Sequence, residues 1–534
     1  HVNTKVCSSM PGGDYIPSPR DNIDDIPDKI IRDLWKQADD KEYEGILQWA
    51  TIVKVKDLPK GTKVLGSTTQ RKIKRDGTYK SRHCVHGFSQ IQGVHYDRKS
   101  SPCVAQSSLR ALISIAASKK ATLKFIDFTQ AYTQSDLPPE EYAYIAPPIG
   151  RNLDEDGDEV VWHITRSLYG MKQSGRNWYL KIRQWLENYG FDPSDADPCV
   201  FHKKTDKGFV SIGLYVDDMV IASTDSEAEE QMIKAMGAEF DFTDQGDLTE
   251  VLGMQVHQTD EDITITHSNY IKNMAKTFLR GEANRKEHKT PASKELPDLV
   301  ASACDTKDQP EEKLLSEYRS LVGSLLYCAV TTRPDISYAV GMLSRALNSP
   351  TDRLLDEAKR VLYYLVLTAD LGLRYVRGAP TKLYGMTDSD WSTRRSTSGY
   401  VFFLAGAAIA YLSKKQPTIA LSSTEAEIMA ASLGALEAVY LRSLLRDLGI
   451  STDEPTDLFI DNKGVIDLSH DYVANERTKH IERRHFKVRE LVHEATIRVK
   501  YISTKDNVAD IFTKPLDKAD FLDKRAKLLN TPRA

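Results

Sequence analysis

Asp217 and Asp218 stand side by side between two apolar β runs, Phe209–Val216 and Met219–Ala222. Adjacent carboxylates repel each other, and Asp-Asp makes a poor two-residue turn compared with Asn-Gly. A divalent cation is the natural compensation. A third acid, Asp127, lies at the end of its own run, Leu123–Phe128, and Tyr132 follows five residues later. Carboxylates on stiff strands can hold two metal ions about 3.5–4 Å apart, one activating an attacking hydroxyl and the other holding a phosphate leaving group. An aromatic at the spacing of Tyr132 suits a sugar stacked on its ring and excludes a 2′ hydroxyl.

Four more acids are spaced through the C-terminal part. Asp388 follows the strand Leu383–Thr387, Glu427 lies in the first turns of a helix starting near Ser422, Asp461 follows Leu458–Ile460, and Asp510 begins the last helix. Such a set suits two metals that activate a water against a phosphodiester. Glu425 competes with Glu427, but Ser422-Ser423-Thr424-Glu425 is a capping box, which assigns Glu425 to the helix start and leaves Glu427 for metal. Asp390 and Asp506 are further competitors.

These residues need a scaffold, and the rest of the sequence outlines one. Residues 1–28 are polar, carry Pro11, Pro17, Pro19 and Pro27, and read as an extended arm or a linker. Short β runs fill about 42–100. Within them Ile73–Lys80 reads as a hairpin, because Asp76-Gly77 supplies the positive φ of a two-residue turn. Lys63, Arg71, Lys72, Lys74, Arg75, Lys80 and Arg82 surround it and could bind phosphate. Ser107 or Ser108 can cap a helix whose Leu109, Leu112, Ile113 and Ala116 recur at helical spacing. Asp154–Glu159 reads as a solvated loop, 286–314 as a charged, Pro-containing linker, and about 315–368 as a helical region.

The 534 residues, 40% hydrophobic and 28% charged, leave room for three or four domains of about 150 residues each. A net charge of −4 provides no global pull on nucleic acid, so such binding requires a local basic track. The six cysteines are scattered without a CxxC pair, which fits free thiols better than a disulfide framework or a zinc site. No apolar run approaches the ~20 residues that span a bilayer, no signal pattern opens the chain, and no membrane partner is expected. A first residue other than Met fits a piece of a longer polyprotein and fits an artificially trimmed chain equally well.

Taken together, the motifs resemble the copia-type branch of long-terminal-repeat retrotransposon reverse transcriptases over roughly residues 40 to 520. Tyr215-Val216-Asp217-Asp218 resembles the YxDD box. Tyr79–Gln90 is similar to the family's YKARLVAKGFTQ, Ser101–Val104 to its SPVV, Ser167–Gln173 to its LYGLKQ, and Leu252-Gly253-Met254 to its FLGM, the family's primer grip. Tyr318–Tyr327 and Thr332–Ile336 are similar to the segment that joins polymerase to nuclease. The resemblance implies that Asp127, Asp217 and Asp218 bind metals, that Lys74 and Arg82 contact the triphosphate, and that Gln173 positions a template base or the incoming nucleotide. Ser174-Gly175 stands where the family usually continues Ala-Pro. The four C-terminal acids resemble those of ribonuclease H. Cellular members often carry a mobile His shortly before the last carboxylate, whereas Ser503–Asp506 has none. Lys479–Phe486, with His480 and His485, is similar to the family's KHIDIRYHF box and reads as a basic, helical contact to the hybrid strand.

The expected fold is α+β: a right-hand polymerase with fingers, palm and thumb, then a connection and a ribonuclease H-like mixed sheet. The expected boundaries are 1–40 for the arm, 41–285 for fingers and palm with the start of the thumb, 286–378 for linker and thumb or connection, and 379–534 for the nuclease. The implied substrates are an RNA or DNA template, a DNA or tRNA primer, deoxynucleoside triphosphates and RNA–DNA hybrids. Magnesium is the expected ion, two per site, with manganese as the alternative. A homodimer, the element's capsid and integrase, and cytoplasmic virus-like particles complete the expectation.

Overall fold

The computed structural model describes residues 15–19, 21–74, 77–280, 287–306, 309–391, 395–470 and 487–531. Arg75 and Asp76, and the 479–486 box with His480 and His485, lie outside the described residues. The protein is α+β, and the chain forms two compact units. One takes the residues through Cys103 with Asp127–Gly190 and Lys234–Thr243; the other takes Val104–Ile126, Phe191–Ile233 and the chain from Asp244 onward. Each unit draws on separated stretches of chain, so this division crosses the linear boundaries read from the sequence.

In the first unit the helix Lys29–Leu47 starts at Asp28, whose carboxylate accepts the N–H groups of Ile30 and Ile31. Its Tyr43 and Ile46 join Leu65, Val85, Ile145 and Trp162 in an apolar core. The core lies on a four-stranded sheet ordered Ala50–Lys54, Val160–Ile164, Ala143–Ile145, Val64–Leu65. Beside it the strands Ser67–Ile73 and Tyr79–Val85 form the basic hairpin, pairing Gln70 with Arg82, Arg71 with Ser81 and Lys72 with Lys80. The two-residue period of a strand sorts these cations. Arg71 turns inward to a nearly buried ion pair with Asp39 at 2.7 Å and leaves the phosphate-binding set, while Lys72, Lys80 and Arg82 share the other face. The acidic loop closes on Lys54, whose ammonium lies 2.9, 2.9 and 2.8 Å from Asp154, Asp156 and Asp158.

A six-stranded sheet, whose strands Asp218–Ser223, Gly208–Tyr215, Val200–Thr205 and Asp192–Pro193 fall wholly in the second unit, is ordered Phe242–Asp247, Thr122–Phe128, Asp218–Ser223, Gly208–Tyr215, Val200–Thr205, Asp192–Pro193. The helix Gln106–Ser118 packs on it and begins earlier than Ser107 or Ser108 would cap it. The Ala105 N–H donates to Asp197 at 2.9 Å, and the buried Ser108 hydroxyl is spent on Tyr440, 2.7 Å away. Arg110 from the same helix donates to the carbonyls of Ile409, Val330 and Thr331 at 2.7, 2.7 and 2.9 Å. One buried guanidinium thus ties the sheet to elements more than two hundred residues away.

The stretch read as a linker contains a helix, Leu296–Asp305, with Leu296, Val300 and Ala303 buried and Pro297 in its first turn, where a missing N–H costs nothing. Its charged flanks hid this apolar spacing. The helices Glu312–Thr331, Ser337–Ser344 and Asp352–Leu367 follow. The C-terminal sheet runs Ala407–Lys415, Thr397–Leu404, Tyr384–Ser389, Thr456–Ile460, Ile497–Tyr501, antiparallel across the first three strands and parallel across the last three.

The helix Ser423–Asp447 covers this sheet. Among the described residues it alone is long and apolar enough to cross a membrane, a stretch the reading of apolar runs passed over, but 67% of that stretch is buried inside the protein. Gly434 lets it pack closely: a Cβ there would fall 2.5 Å from the Thr387 methyl, which outweighs the ~1 kcal/mol that a mid-helix glycine costs.

Candidate active sites

The central hairpin pairs Val210 with Ser223 through to Tyr215 with Asp218, so its turn is Val216-Asp217, one residue earlier than expected. Val216 has φ +59°. A β-branched side chain is strained in that left-handed region, by about 1–3 kcal/mol. Asp217 is therefore held at the tip of a strained turn, and Asp218 opens the second strand; both are half-buried. The strand Thr122–Phe128 is next in sheet order, and Asp127 is exposed near its end.

In the first unit, Gly170 (φ +88°) packs so tightly on the basic hairpin that a Cβ would lie 2.1 Å from the Val85 carbonyl oxygen. The Val85 N–H donates to Tyr169 at 2.8 Å. That approach sets the Arg82 guanidinium 4.5 Å over the Tyr169 ring, with the Tyr132 ring 5.3 Å away on the same tyrosine. Tyr169 thus joins two candidate nucleotide contacts; the sequence quoted it inside a motif without giving it a role.

Lys80, one of the hairpin cations read from the sequence as a phosphate contact, has a defined place. It is half-buried opposite Lys72, and burial, then Arg82 and Lys74, hold its ammonium below the usual range against the pull of Glu42 and Asp127. Like charges facing across strands are destabilising, so this face favours an anion. Lys74 is exposed at the strand end, where its backbone closes the turn with Thr78 and Gly77. Gln173 is buried: its amide donates to His95 O at 2.8 Å and accepts from Gln90 at 3.0 Å. In this geometry Gln173 braces the loop carrying Tyr169 and does not present its amide to solvent.

The four C-terminal acids come from different elements. Asp388 lies within the strand Tyr384–Ser389, Glu427 in the second turn of the long helix, and Asp461 just after Thr456–Ile460. Asp510 lies in a 3-10 turn, Val508–Phe512, and not in the last helix, which is Lys518–Leu529. Carboxylate oxygens of Asp388, Asp461 and Asp510 lie within 4.8 Å of one another. Glu427 Oε1 accepts the Ser389 N–H at 3.1 Å, and its buried Oε2 has no hydrogen-bond partner among the described residues. Burial, then Asp388 and Asp461, push the Glu427 carboxyl up to about 9. Burial and Asp510 push Asp388 up to about 7 against the pull of Lys514. Crowded, desolvated carboxylates with a spare oxygen have the donor chemistry of a magnesium or manganese site.

Supporting groups surround the cluster. Lys514 Nζ lies 2.8 Å from Asp510 and 3.9 Å from Asp388. The Thr513 hydroxyl donates to Asp388. Lys524, 3% exposed, donates to the carbonyls of Thr504, Lys505 and Asn507 at 3.1, 2.9 and 2.9 Å and lies 3.4 Å from Asp510. Asn507 caps the 3-10 turn and donates to Thr387 O at 2.9 Å. None of these was assigned from sequence; the i,i+4 spacing of Asp510 and Lys514 was the one legible signal. Glu425 accepts the Leu421 N–H at 2.6 Å while the Ser422 hydroxyl accepts the Glu425 N–H at 3.1 Å, the geometry of a helix start. Asp390 accepts the Thr397 N–H, and the exposed Asp506 is held by Ser503.

The family model described as "Reverse transcriptase (RNA-dependent DNA polymerase)" matches residues 50–293. A retrovirus-related Pol polyprotein from transposon TNT 1-94 of Nicotiana tabacum is 34% identical over 498 residues, covering 91% of this chain and 37% of that protein. The corresponding polyprotein from transposon RE2 of Arabidopsis thaliana is 31% identical, covering 92% of this chain and 33% of that one. The putative transposon Ty5-1 protein of Saccharomyces cerevisiae is 32% identical over 319 residues, 58% of this chain and 100% of its own length. The chain spans about a third of the two plant polyproteins. Among solved structures, a foamy viral protease–reverse transcriptase in complex with double-stranded DNA matches with TM-score 0.47 and 13% identity, covering 89% of this chain and 69% of that one.

Proposed function

The chain belongs to the reverse transcriptase family, in the copia-type branch of transposon Pol proteins, and on that premise we propose that it synthesises DNA on RNA and DNA templates and degrades the RNA strand of RNA–DNA hybrids. The nuclease reading is carried by the convergence of Asp388, Asp461 and Asp510 oxygens to within 4.8 Å, beside the partnerless oxygen of Glu427. The polymerase reading is supported by the Asp217 turn inside the matched region.

Asp127, Asp217 and Asp218 would hold one pair of magnesium ions, and Asp388, Glu427, Asp461 and Asp510 another, with manganese as the alternative. Bound there, the ions supply Lewis acidity toward the phosphate and the attacking oxygen. The protein's own groups do the rest. Arg82, Lys80 and Lys74 offset the charge of a nucleoside triphosphate, and Tyr132, backed by Tyr169, excludes a 2′ hydroxyl. Thr513 and Asn507 hold the strand and turn that carry Asp388 and Asp510. Lys514 supplies a cation in a segment without a histidine. The proposed partners are an RNA or DNA template, a DNA or tRNA primer, deoxynucleoside triphosphates, a second copy of the chain, and the element's capsid and integrase. The setting is a cytoplasmic virus-like particle.

Primer extension on an RNA template tests both sites at once, with the DNA and RNA strands followed together. Asp217→Asn is expected to abolish extension and keep RNA cleavage, and Asp461→Asn to do the reverse. Loss of both activities in each variant would refute the two-site assignment.

A further inference from the structure

A cavity of about 210 Å³ flanks the carboxylate cluster of the second unit. It opens between the helices Leu296–Asp305 and Ser337–Ser344 on one side and the edge of the C-terminal sheet on the other. Among the described residues Arg345, Arg395, Lys415 and Lys514 line it, Lys514 being already paired with Asp510. Val300 and Met342 form an apolar wall. Among the described residues the one carboxylate in the lining, Asp390, already accepts the Thr397 N–H. Arg345 is fixed by a hydrogen bond from its guanidinium to the Thr397 hydroxyl at 3.1 Å, while Arg395 and Lys415 are exposed at the rim.

Cations gathered around a concave surface repel one another, and the low-dielectric wall focuses their field on whatever enters. A phosphate resolves that repulsion, and an apolar wall beside it suits a sugar. We infer that this cavity binds a nucleotide phosphate, with the sugar against Val300 and Met342. The phosphate belongs either to a strand of the hybrid passing the carboxylate cluster or to a free mononucleotide. The inference rests on the second unit acting on nucleic acid.

The test compares the full chain with Arg395→Gln/Lys415→Gln, both changes at exposed positions. Lys414→Gln is the control, because Lys414 neighbours Lys415 on the strand but does not line the cavity. Hybrid affinity is read by fluorescence anisotropy in EDTA across a salt series, and AMP binding by calorimetry. For a strand phosphate, the double variant should bind hybrid about tenfold more weakly, and its log–log salt slope should fall by about two, with Lys414→Gln unchanged. Saturable AMP binding that the double variant loses, with hybrid affinity intact, assigns the cavity to a free nucleotide. If AMP fails to bind and hybrid affinity and slope match across all three proteins, the inference is wrong. Failure of the nuclease reading appears separately, as a wild-type chain that binds hybrid but leaves it uncut in magnesium.

Discussion

Asp335 and Arg333 form an ion pair with 0% side-chain exposure on either partner. The two carboxylate oxygens accept from Arg333 Nε at 3.0 Å and Nη2 at 2.8 Å, and Tyr364 donates to the same carboxylate at 2.5 Å. Burial alone would push the Asp335 carboxyl up, but Arg333 overrides it and holds the group below its ordinary value. In Asp335→Ala the guanidinium keeps, among the described residues, only neutral hydrogen-bond acceptors, the carbonyl and hydroxyl of Thr368 at 2.9 and 2.8 Å. A buried charge stripped of its partner costs about 3–5 kcal/mol, whereas replacing both partners with apolar residues is close to neutral. Urea unfolding followed by circular dichroism should therefore show Asp335→Ala losing about 3–5 kcal/mol, with Arg333→Met/Asp335→Leu recovering most of it. The pH dependence has a fixed sign. A carboxyl depressed in the folded state stabilises above its unfolded value of about 4, and that contribution is lost as pH falls through the folded value. The wild type's margin over Asp335→Ala should accordingly shrink in acid. A single-variant loss under about 1 kcal/mol, or a double variant as damaged as the single, would refute the reasoning.

Val216→Gly removes the left-handed strain and should hold or raise stability, by up to ~1 kcal/mol after the entropy cost of glycine. It should also slow primer extension, because the turn carrying Asp217 loosens; a melting curve and an extension assay read both. Lys524→Met leaves buried carbonyls unpaired, at about 1–3 kcal/mol, and should depress hybrid cleavage far more than DNA synthesis, measured on one substrate. Lys80→Gln should raise the KM for deoxynucleoside triphosphates several-fold with a smaller change in kcat, which steady-state kinetics will check. Magnesium added to metal-free protein should raise the melting temperature, and by less in Asp461→Asn, because relief of carboxylate repulsion is what the ion contributes.

Much of the candidate chemistry was legible in local pattern. Adjacent acids between apolar runs marked the Asp217 hairpin, and a capping box separated Glu425 from Glu427, because turns and helix starts are decided within a few residues. Strand alternation was present too, although only the observed register showed that it sends Arg71 inward to Asp39 and leaves Lys72, Lys80 and Arg82 together. Tertiary structure alone decided the rest. Lys524 is buried by carbonyls about twenty residues away, Gln173 by Gln90 and His95, and Asn507 bridges 120 residues to Thr387. The helix Leu296–Asp305 and the division into two units likewise depend on partners far along the chain. A short window of sequence carries propensity, charge and periodicity. Which donor meets which acceptor across a hundred residues is set by packing, since burial makes an unpaired polar group too costly to leave.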